Sequence, residues 1–209
     1  PGDVCWEDIN GDNKINGLDR EVVGNIFPKV TGGFSSTLSW KGISLYARFD
    51  YALGHTLYND LAARTLGQYQ GAFNIITEVK DMWSEDNPNS DLPAFYYADQ
   101  LAKKNITRSN NASASRHNNS SRLYEKADYL ALRELTLSWD LPKAWTSKAF
   151  IQNASVYVTG QNLFYVTGYT GTSPEPVLTN SDNNENLYGV DQGRYPTPRT
   201  VLFGLSVTF

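Results

Sequence analysis

The last ten residues, 200–209, restrict the fold more than any other stretch of this sequence. Apolar side chains alternate there with small or polar ones, and one face carries Val201, Phe203, Leu205, Val207 and Phe209. A period of two residues is that of a β-strand. A chain end frays unless something holds it, and a barrel that closes on its last strand would do so. Aliphatic residues toward lipid and small residues toward a lumen are typical of transmembrane β-barrels.

Four earlier segments show the same alternation. Residues 30–40 and 43–51 lie on either side of a Lys41–Gly42 turn, which predicts a β-hairpin. Residues 128–140 and 151–164 predict two more strands. The sequence therefore predicts an all-β chain of about five antiparallel strands, with one face apolar throughout.

The connections between these strands alternate in length. Residues 41–42 and 142–149 form short turns, whereas the connections at about 54–125 and 165–198 are long and rich in Gly, Asn, Pro and Ser. The first long connection is partly helical by its pattern, from Asp60 to about Trp83. In outer-membrane barrels the short turns are periplasmic and the long loops are extracellular. The same arrangement is expected here.

The amino-acid composition argues against several classes of structure and function. No apolar run approaches the ~18 to 20 residues that a spanning helix needs, so a membrane would be crossed by strands. The formal net charge is −4 and the Lys and Arg residues are scattered, which argues against a nucleic-acid partner. Cys5 is the single cysteine, so no internal disulfide can form.

Residues 8–19 resemble a calcium loop of the EF-hand or dockerin kind. Oxygen donors fall at the spacing that such a loop uses, at Asp8, Asn10, Asp12, Lys14 (backbone carbonyl), Asn16 and Asp19. Asn13 replaces the usual glycine at the sixth position, where Asn tolerates left-handed backbone angles. The sequence therefore predicts a possible Ca²⁺ site and no other cofactor. The alternative is a turn ordered by Asx side chains without a metal.

Several motifs, in order along nearly the whole chain, resemble the C-terminal end of SusC/RagA-family TonB-dependent transporters of Bacteroidota outer membranes. They are Pro1-Gly2-Asp3 with the Asp-x-Asn-Gly-Asp loop, Gly24-Asn25 to Phe34, Leu132-Arg133 to Leu141-Pro142, Val158-Thr-Gly-Gln-Asn-Leu-Phe164, and Tyr195-Pro-x-Pro-Arg199 to Phe209.

This resemblance implies the last strands of a barrel of about 22 strands, preceded by upstream strands and an N-terminal plug. It implies uptake of oligosaccharides or peptides beneath a SusD-like surface lipoprotein, powered by TonB–ExbB–ExbD through the upstream region. It also implies that Phe209 is the signal read by the insertion machinery. Residues 1–29 are then an extracellular loop with the calcium-like motif, and residues 30–209 are barrel. Because plug and TonB box are missing, the chain is expected to be a fragment.

No residue set predicts catalysis. His55 and His117 are isolated and are expected to be solvated loop residues, and the acids between Glu78 and Asp91 match a solvated loop better than a glycosidase pair. Aromatic rings pack against sugars and peptide side chains. The candidates for substrate contact are the loop tyrosines Tyr96, Tyr97, Tyr165, Tyr169 and Tyr188, together with the amides of 180–186.

Two other readings remain open from the sequence. A soluble, secreted β-sandwich that binds glycan and carries a calcium-stapled loop explains the alternation and the Asx motif. It does not explain the aromatic residues at the strand ends or the terminal Phe209. A glycan-degrading enzyme is the weaker alternative, because no pair of carboxylates can be assigned to it.

Overall fold

A computed structural model describes residues 2, 5–66, 74–94, 121–176 and 188–209 of the chain. The chain forms two compact units. We call Phe27–His55, Ala127–Pro176 and Tyr195–Phe209 the sheet unit, and Pro1–Ile26, Thr56–Lys126 and Val177–Arg194 the loop unit.

Most regular structure in the described residues is β. In chain order the elements are β1 (Val30–Trp40), β2 (Ile43–Leu53), β3 (Thr56–Asn59), α1 (Asp60–Thr65), a 3-10 turn at Thr77–Asp81 and another at Ser121–Leu123, β4 (Tyr124–Lys126), β5 (Tyr129–Asp140), α2 (Lys143–Thr146), a 3-10 turn at Ser147–Ala149, β6 (Asn153–Thr167), β7 (Val190–Asp191) and β8 (Thr200–Thr208). No described helix is long and apolar enough to cross a bilayer.

The sheet unit contains one five-stranded antiparallel sheet in the order β1-β2-β5-β6-β8. Each strand pairs with the next predicted strand along the chain, so the predicted order of strands is confirmed. The strand ends differ from the predicted ones by a few residues, and the largest difference is the extension of β6 to Thr167. The two long connections link β2 to β5 and β6 to β8.

The register places the predicted side chains on common faces. Partners such as Leu38 and Leu45, or Val158 and Phe203, lie opposite each other on one side. We call this side the apolar face; it carries Phe34, Leu38, Trp40, Ile43, Leu45, Phe49, Tyr51, Leu130, Leu132, Leu135, Leu137, Trp139, Val156, Val158, Phe164, Val166, Val201, Phe203 and Leu205. The polar face carries Ser44, Arg48, Asp50, Glu134, Thr136, Ser138, Ser155, Thr159, Gln161, Thr200 and Ser206.

The alternation is reset once, near Arg133. The pairing of β5 with both of its neighbours shifts between Leu132 and Glu134. On β6 the shift coincides with Asn162, whose φ is 52°. These are β-bulges, which bend a strand and increase its twist. Arg133 therefore falls outside the simple inward and outward pattern.

The β1–β2 hairpin closes through the two-residue turn that the sequence predicts. Lys41 has φ 49° and Gly42 has φ 84°, the left-handed pair that matches the twist of the flanking strands. The Lys41 ammonium lies 4.7 Å from the centre of the Trp40 ring. Lys41 thus holds a left-handed conformation that is uncommon for residues other than glycine.

The loop unit contains structure that the sequence analysis missed. β3 pairs with β4 in antiparallel and with β7 in parallel orientation, around a small core of Tyr58, Ala63, Leu123 and Val190. These strands come from the regions assigned to loops, and at two to four residues they are too short to show alternation. The predicted helix from Asp60 is six residues long where it is described, and the 3-10 turn at Thr77–Asp81 follows later.

Candidate functional site

Most residues of the apolar face are exposed or half-buried, and Leu132 is the buried exception among those described. Leu38 is 67% exposed, Phe203 83% and Leu205 65%. The buried residues of the sheet unit are concentrated instead around Ala52, Tyr129 and Ala131 at one end of the strands. Exposed apolar patches larger than a few hundred Å² mark contact with a membrane or a partner. A face this long and this apolar suits hydrocarbon.

Aromatic residues gather at the ends of the strands. Trp40 and Trp139 both lie opposite Ile43, and Trp139 packs edge-on against Trp145 with ring centres 5.9 Å apart. Phe209 follows β8 beside the same end and is 81% exposed. The register thus places Trp40, Trp139 and Phe209 together at one edge of the sheet. Indole and phenyl groups favour the boundary between hydrocarbon and water.

A groove of about 440 Å³ opens at the other end of the apolar face. Tyr51, Leu53, Leu130 and Val166 supply its apolar walls, and Asp128 lies at its margin. The Asp128 carboxylate accepts a hydrogen bond from the Gly54 amide, so its charge is partly satisfied within the protein. The groove suits a hydrocarbon chain better than a polar cargo.

The polar face carries a charged group of side chains at the same end as this groove, which we call the Arg133 cluster: Asp50, Tyr129, Arg133, Tyr165 and Glu175. The Arg133 guanidinium donates to both carboxylates through Nε and Nη2, and its Nη1 donates to the Tyr165 hydroxyl over 2.9 Å. The Tyr165 hydroxyl donates to Glu175 over 2.9 Å, and Tyr129 donates to Asp50 over 3.3 Å.

This cluster is partly withdrawn from water. The Arg133 side chain is 19% exposed, and Asp50 and Glu175 are 33% and 29% exposed. Charges in such a position are screened less than surface charges, and charge-assisted hydrogen bonds are among the stronger ones. Because each guanidinium nitrogen already has an acceptor, Arg133 is committed to protein partners here rather than offered to a ligand.

The structure corrects the expectation for His55. It was expected to be a solvated loop residue, yet it is 1% exposed, and its Nε2 lies 2.8 Å from the Pro174 carbonyl oxygen. Its ring packs edge-on against Tyr129 at 6.3 Å, while Nδ1 has no hydrogen-bond partner among the residues that the structure describes. His55 is buried because this position, the second residue after β2, is covered by the segment that follows β6. His117 lies outside the described residues.

The Asp8–Asp19 loop is ordered by its own side chains. The Asp8 carboxylate accepts backbone N–H bonds from Gly11 (2.8 Å), Asp12 (3.2 Å) and Asn13 (2.6 Å). Asn13 has φ 62°, so it takes the left-handed conformation expected at the sixth position. Asp12 and Asn16 form similar bonds, to the amides of Lys14 and Leu18, each over 2.8 Å.

Asp19 closes the loop. One of its carboxylate oxygens accepts the Asn16 amide over 2.7 Å, and the other accepts the Ile9 amide over 3.1 Å. Chiefly because of the Asn16 hydrogen bond, the pKa of Asp19 lies below its ordinary value of 3.8. Within the described ranges, no three His, Cys, Asp or Glu side chains are grouped closely enough to hold a metal ion. The mixed set of carboxylate, amide and carbonyl oxygens still has the chemistry that Ca²⁺ prefers, so the calcium site remains a prediction.

The five tyrosines proposed for substrate contact have different surroundings. Tyr165 belongs to the Arg133 cluster, Tyr169 is 7% exposed, and Tyr188 is 36% exposed. Tyr96, Tyr97 and the amides of 180–186 lie outside the described residues. Of the Arg133 cluster, only Tyr165 was predicted from the sequence to contact substrate, and Arg133 and Glu175 were not singled out. Glu175 lies in a loop and carries no pattern, and Arg133 sits at the bulge.

Comparison with known proteins gives relatives along the whole chain. No family model matches. TonB-dependent receptor P3 of Formosa agariphila is 31% identical over 212 residues, which take in all of this chain and 19% of the relative. TonB-dependent receptor P26 of the same organism is 30% identical over 209 residues, again all of this chain and 20% of the relative. The chain thus spans about a fifth of the length of the curated relatives that it matches.

Solved structures of RagAB transport proteins have a fold similar to that of this chain. The RagAB peptide transporter matches with a TM-score of 0.64 and 27% identity, over 88% of this chain and 17% of that one. The RagAB peptide importer in its "open-open" state matches with a TM-score of 0.60 and 28% identity, over 87% of this chain and 17% of the other.

Proposed function

We propose that this chain is part of a TonB-dependent receptor of the SusC/RagA kind, since its curated relatives are TonB-dependent receptors and a RagAB structure shares its fold. It would form part of an outer-membrane β-barrel that imports a nutrient. The observation that carries this proposal is the five-stranded sheet with one exposed apolar face and one polar face. Lipid would cover the apolar face, and the polar face would line the passage.

The connections support an orientation in the membrane. The turn at Lys41–Gly42 and the connection through α2 are short and lie at the end marked by Trp40 and Trp139. Short turns are periplasmic in outer-membrane barrels. That end is therefore assigned to the periplasm, and the long connections to the outside. In this arrangement the chain would supply the last strands of a barrel of about 22 strands, which upstream strands and a plug would complete.

The proposed cargo is an oligosaccharide or a peptide. The solved relatives are named as peptide transporters, which supports a peptide, whereas the Formosa relatives are named only as receptors. Energy would come from TonB–ExbB–ExbD through the upstream region, and a SusD-like lipoprotein would cover the outer opening. Uptake of a fluorescent peptide and a fluorescent oligosaccharide, in cells with and without this receptor and with and without TonB, distinguishes the cargo classes.

The membrane assignment has a matched test in two neighbouring residues of β8. Phe203 lies on the apolar face and Leu202 on the polar face. Arginine facing lipid near the midplane costs about 2–4 kcal/mol, whereas lumen positions tolerate charge. In the full-length receptor, Phe203→Arg should reduce the heat-modifiable folded band strongly, and Leu202→Arg should leave it near wild type. Equal tolerance of both would contradict the proposal and favour the soluble β-sandwich.

We also propose that the Asp8–Asp19 loop binds Ca²⁺ through Asp8, Asn10, Asp12, the Lys14 carbonyl, Asn16 and Asp19. The ion would add to the loop's own hydrogen bonds by drawing its three carboxylates together. Terbium luminescence on the full-length receptor tests this directly, with Asp8→Ala plus Asp12→Ala as the variant. A protease sensitivity of residues 5–29 that is the same with Ca²⁺ and with chelator would count against the metal.

Among the tyrosines proposed for substrate contact, Tyr188 is the described one whose ring is most available to a ligand. Tyr165 uses its hydroxyl within the Arg133 cluster, and Tyr169 is buried. Tyr188→Ala should therefore lower cargo affinity more than Tyr169→Ala lowers it at equal amounts of folded receptor. Titration of the purified receptor with the imported peptide or oligosaccharide measures both. Tyr96 and Tyr97 remain candidates on the same chemical grounds.

A further inference from the structure

The segment directly after β6, residues 168–176, folds back onto the polar face of the sheet. Tyr169, Ser173 and Pro174 in this segment are buried. Its start is fixed by Thr167, whose hydroxyl donates to the Asp128 carbonyl over 2.8 Å and accepts the Tyr169 amide over 3.1 Å. We call residues 168–176 the strap.

Two neighbouring residues near the C-terminal end of the strap, Pro174 and Glu175, bind it to other parts of the sheet unit. Glu175 accepts hydrogen bonds from Arg133 on β5 and from the Tyr165 hydroxyl on β6. The Pro174 carbonyl lies 2.8 Å from Nε2 of His55, the second residue after β2. Two strands and the residue pair that follows β2 thus hold one point of the strap, through a charge pair, a neutral hydroxyl and an imidazole.

The Glu175–Arg133 pair can separate without leaving Arg133 with no compensating negative charge. Arg133 also donates to Asp50 through Nε and Nη2, so its charge remains compensated when Glu175 leaves. Removing one partner of a buried pair is costly chiefly when the other charge is left alone. Here the released Glu175 would enter water and Arg133 would keep Asp50. Both the attached and the released arrangement are therefore electrostatically acceptable.

We propose that the strap is a releasable cover over the outer end of the polar face, held by the Glu175–Arg133 pair. When it is attached, it occupies part of the polar face beside Asp50 and Tyr165; when it is released, it uncovers that surface. That the covered surface lines a cargo passage rests on the proposed function. The attachment itself does not, because it follows from contacts within the sheet unit.

The test uses a thiol placed in the strap of the full-length receptor in outer membranes. Ser173 is 5% exposed, so the cysteine of Ser173→Cys should react slowly with a membrane-impermeant maleimide while the strap is attached. Cys5→Ser removes the exposed native thiol, and the same receptor without Ser173→Cys gives the background. Adding Glu175→Gln should raise the labelling rate on the order of tenfold, as expected for loss of a charge-assisted bond.

Glu134→Gln provides the matched control. Glu134 lies on the same face, and its described partners, Arg48 at 3.6 Å and the Thr136 hydroxyl at 3.3 Å, lie on the sheet and not in the strap. It should leave the labelling rate within about twofold of the parent. High salt should raise the rate in the parent, because ionic screening weakens a partly exposed pair. If Glu175→Gln impairs folding, this salt response still tests the proposal in the parent receptor, whose strap keeps Glu175.

The proposal of a releasable strap would be overturned if the parent is already labelled fast. It would also be overturned if Glu175→Gln and Glu134→Gln have equal effects on the labelling rate, or if the labelling rate of the parent does not respond to salt. Uptake of a fluorescent peptide is measured on the same cells. If Glu175→Gln speeds labelling but leaves uptake unchanged, the strap is releasable but does not cover a cargo passage. Failure of the strap proposal and failure of the proposed function therefore give different results.

Discussion

The five-stranded sheet and the Asp8–Asp19 loop are both ordered with little buried apolar core, but by opposite means. The sheet is held by bonds between residues far apart in the chain; Arg133 and Asp50, for example, are 83 residues apart. The loop is held by bonds that span 2 to 10 residues. Order built from distant partners is cooperative, whereas order built from neighbours can be lost alone. A change in the sheet should therefore spread, and a change in the loop should stay local.

The largest effect is expected when Arg133 is replaced by Met. The change leaves Asp50 and Glu175 close together without a cation. We expect the free energy of unfolding to fall by about 2–3 kcal/mol, below the range for fully buried pairs because the cluster is partly exposed. Urea unfolding of the full-length receptor in lipid vesicles measures it.

The control for this variant is Arg48→Met. Arg48 pairs with Glu134 at 3.6 Å but is 55% exposed, so the loss should stay below about 1 kcal/mol. Similar losses for the two arginines would mean that the Arg133 cluster contributes no more than a surface ion pair.

A smaller loss is expected from Gly42→Val in the β1–β2 turn. Gly42 has φ 84°, and an added Cβ would lie 3.3 Å from the Asp140 carbonyl oxygen. A β-branched residue in this conformation should cost about 1–2 kcal/mol in the same unfolding measurement. Lys41→Gly, which relieves a positive φ of 49° at the neighbouring position, should cost nothing measurable. A larger loss of stability for Lys41→Gly than for Gly42→Val would show that the conformation of this turn does not determine the stability of the hairpin.

Asp8→Ala should disorder the loop and leave the sheet intact. The variant removes the acceptor for the amides of Gly11, Asp12 and Asn13. Hydrogen exchange should speed up at these amides, while global unfolding changes by less than about 0.5 kcal/mol. Glu7→Ala removes an exposed neighbouring charge and should not change exchange in the loop. A drop in global stability for Asp8→Ala would show that loop and sheet are coupled.

The smallest effect is a dependence of loop order on acid. The pKa of Asp19 is lowered in the folded loop, so its contribution to stability is complete above the ordinary value of 3.8 and is lost as pH falls through the lower, folded value. Cleavage of residues 5–29 by an acid-active protease should therefore rise below about pH 4. Asp19→Asn should raise cleavage at pH 5 and flatten this dependence. An unchanged pH profile in the variant would assign the acid response to another group.

The sequence predicted the sheet because its signal is periodic. Alternation over nine or more residues identified β1, β2, β5, β6 and β8 and their two faces, and an ordered set of motifs indicated the kind of relatives that the comparison found. Such a pattern exists because each residue must face either hydrocarbon or water. The Asx loop was equally visible, since its side-chain oxygens follow a fixed spacing.

The rest of the candidate site depends on distance in space, which a single sequence does not show. Glu175 reaches Arg133 across 42 residues, and His55 reaches Pro174 across 119. The bulge that displaces Arg133 is invisible to a period of two. β7 has two residues and β4 has three, too few to show a pattern, so the second sheet was missed. Long-range polar pairs and very short strands were the parts that required a structure.

The two outer strands of the described sheet, β1 and β8, each have one neighbour in it. Each therefore offers a row of unpaired backbone donors and acceptors, next to an apolar face that water does not solvate well. Such an edge pairs with whatever strand it meets, including copies of itself. A chain bound for an outer membrane, as we propose for this one, spends time in an aqueous compartment before its edges are paired. Its yield in a cell should therefore depend on how quickly chaperones deliver it, and overproduction should give aggregates well before it gives more receptor.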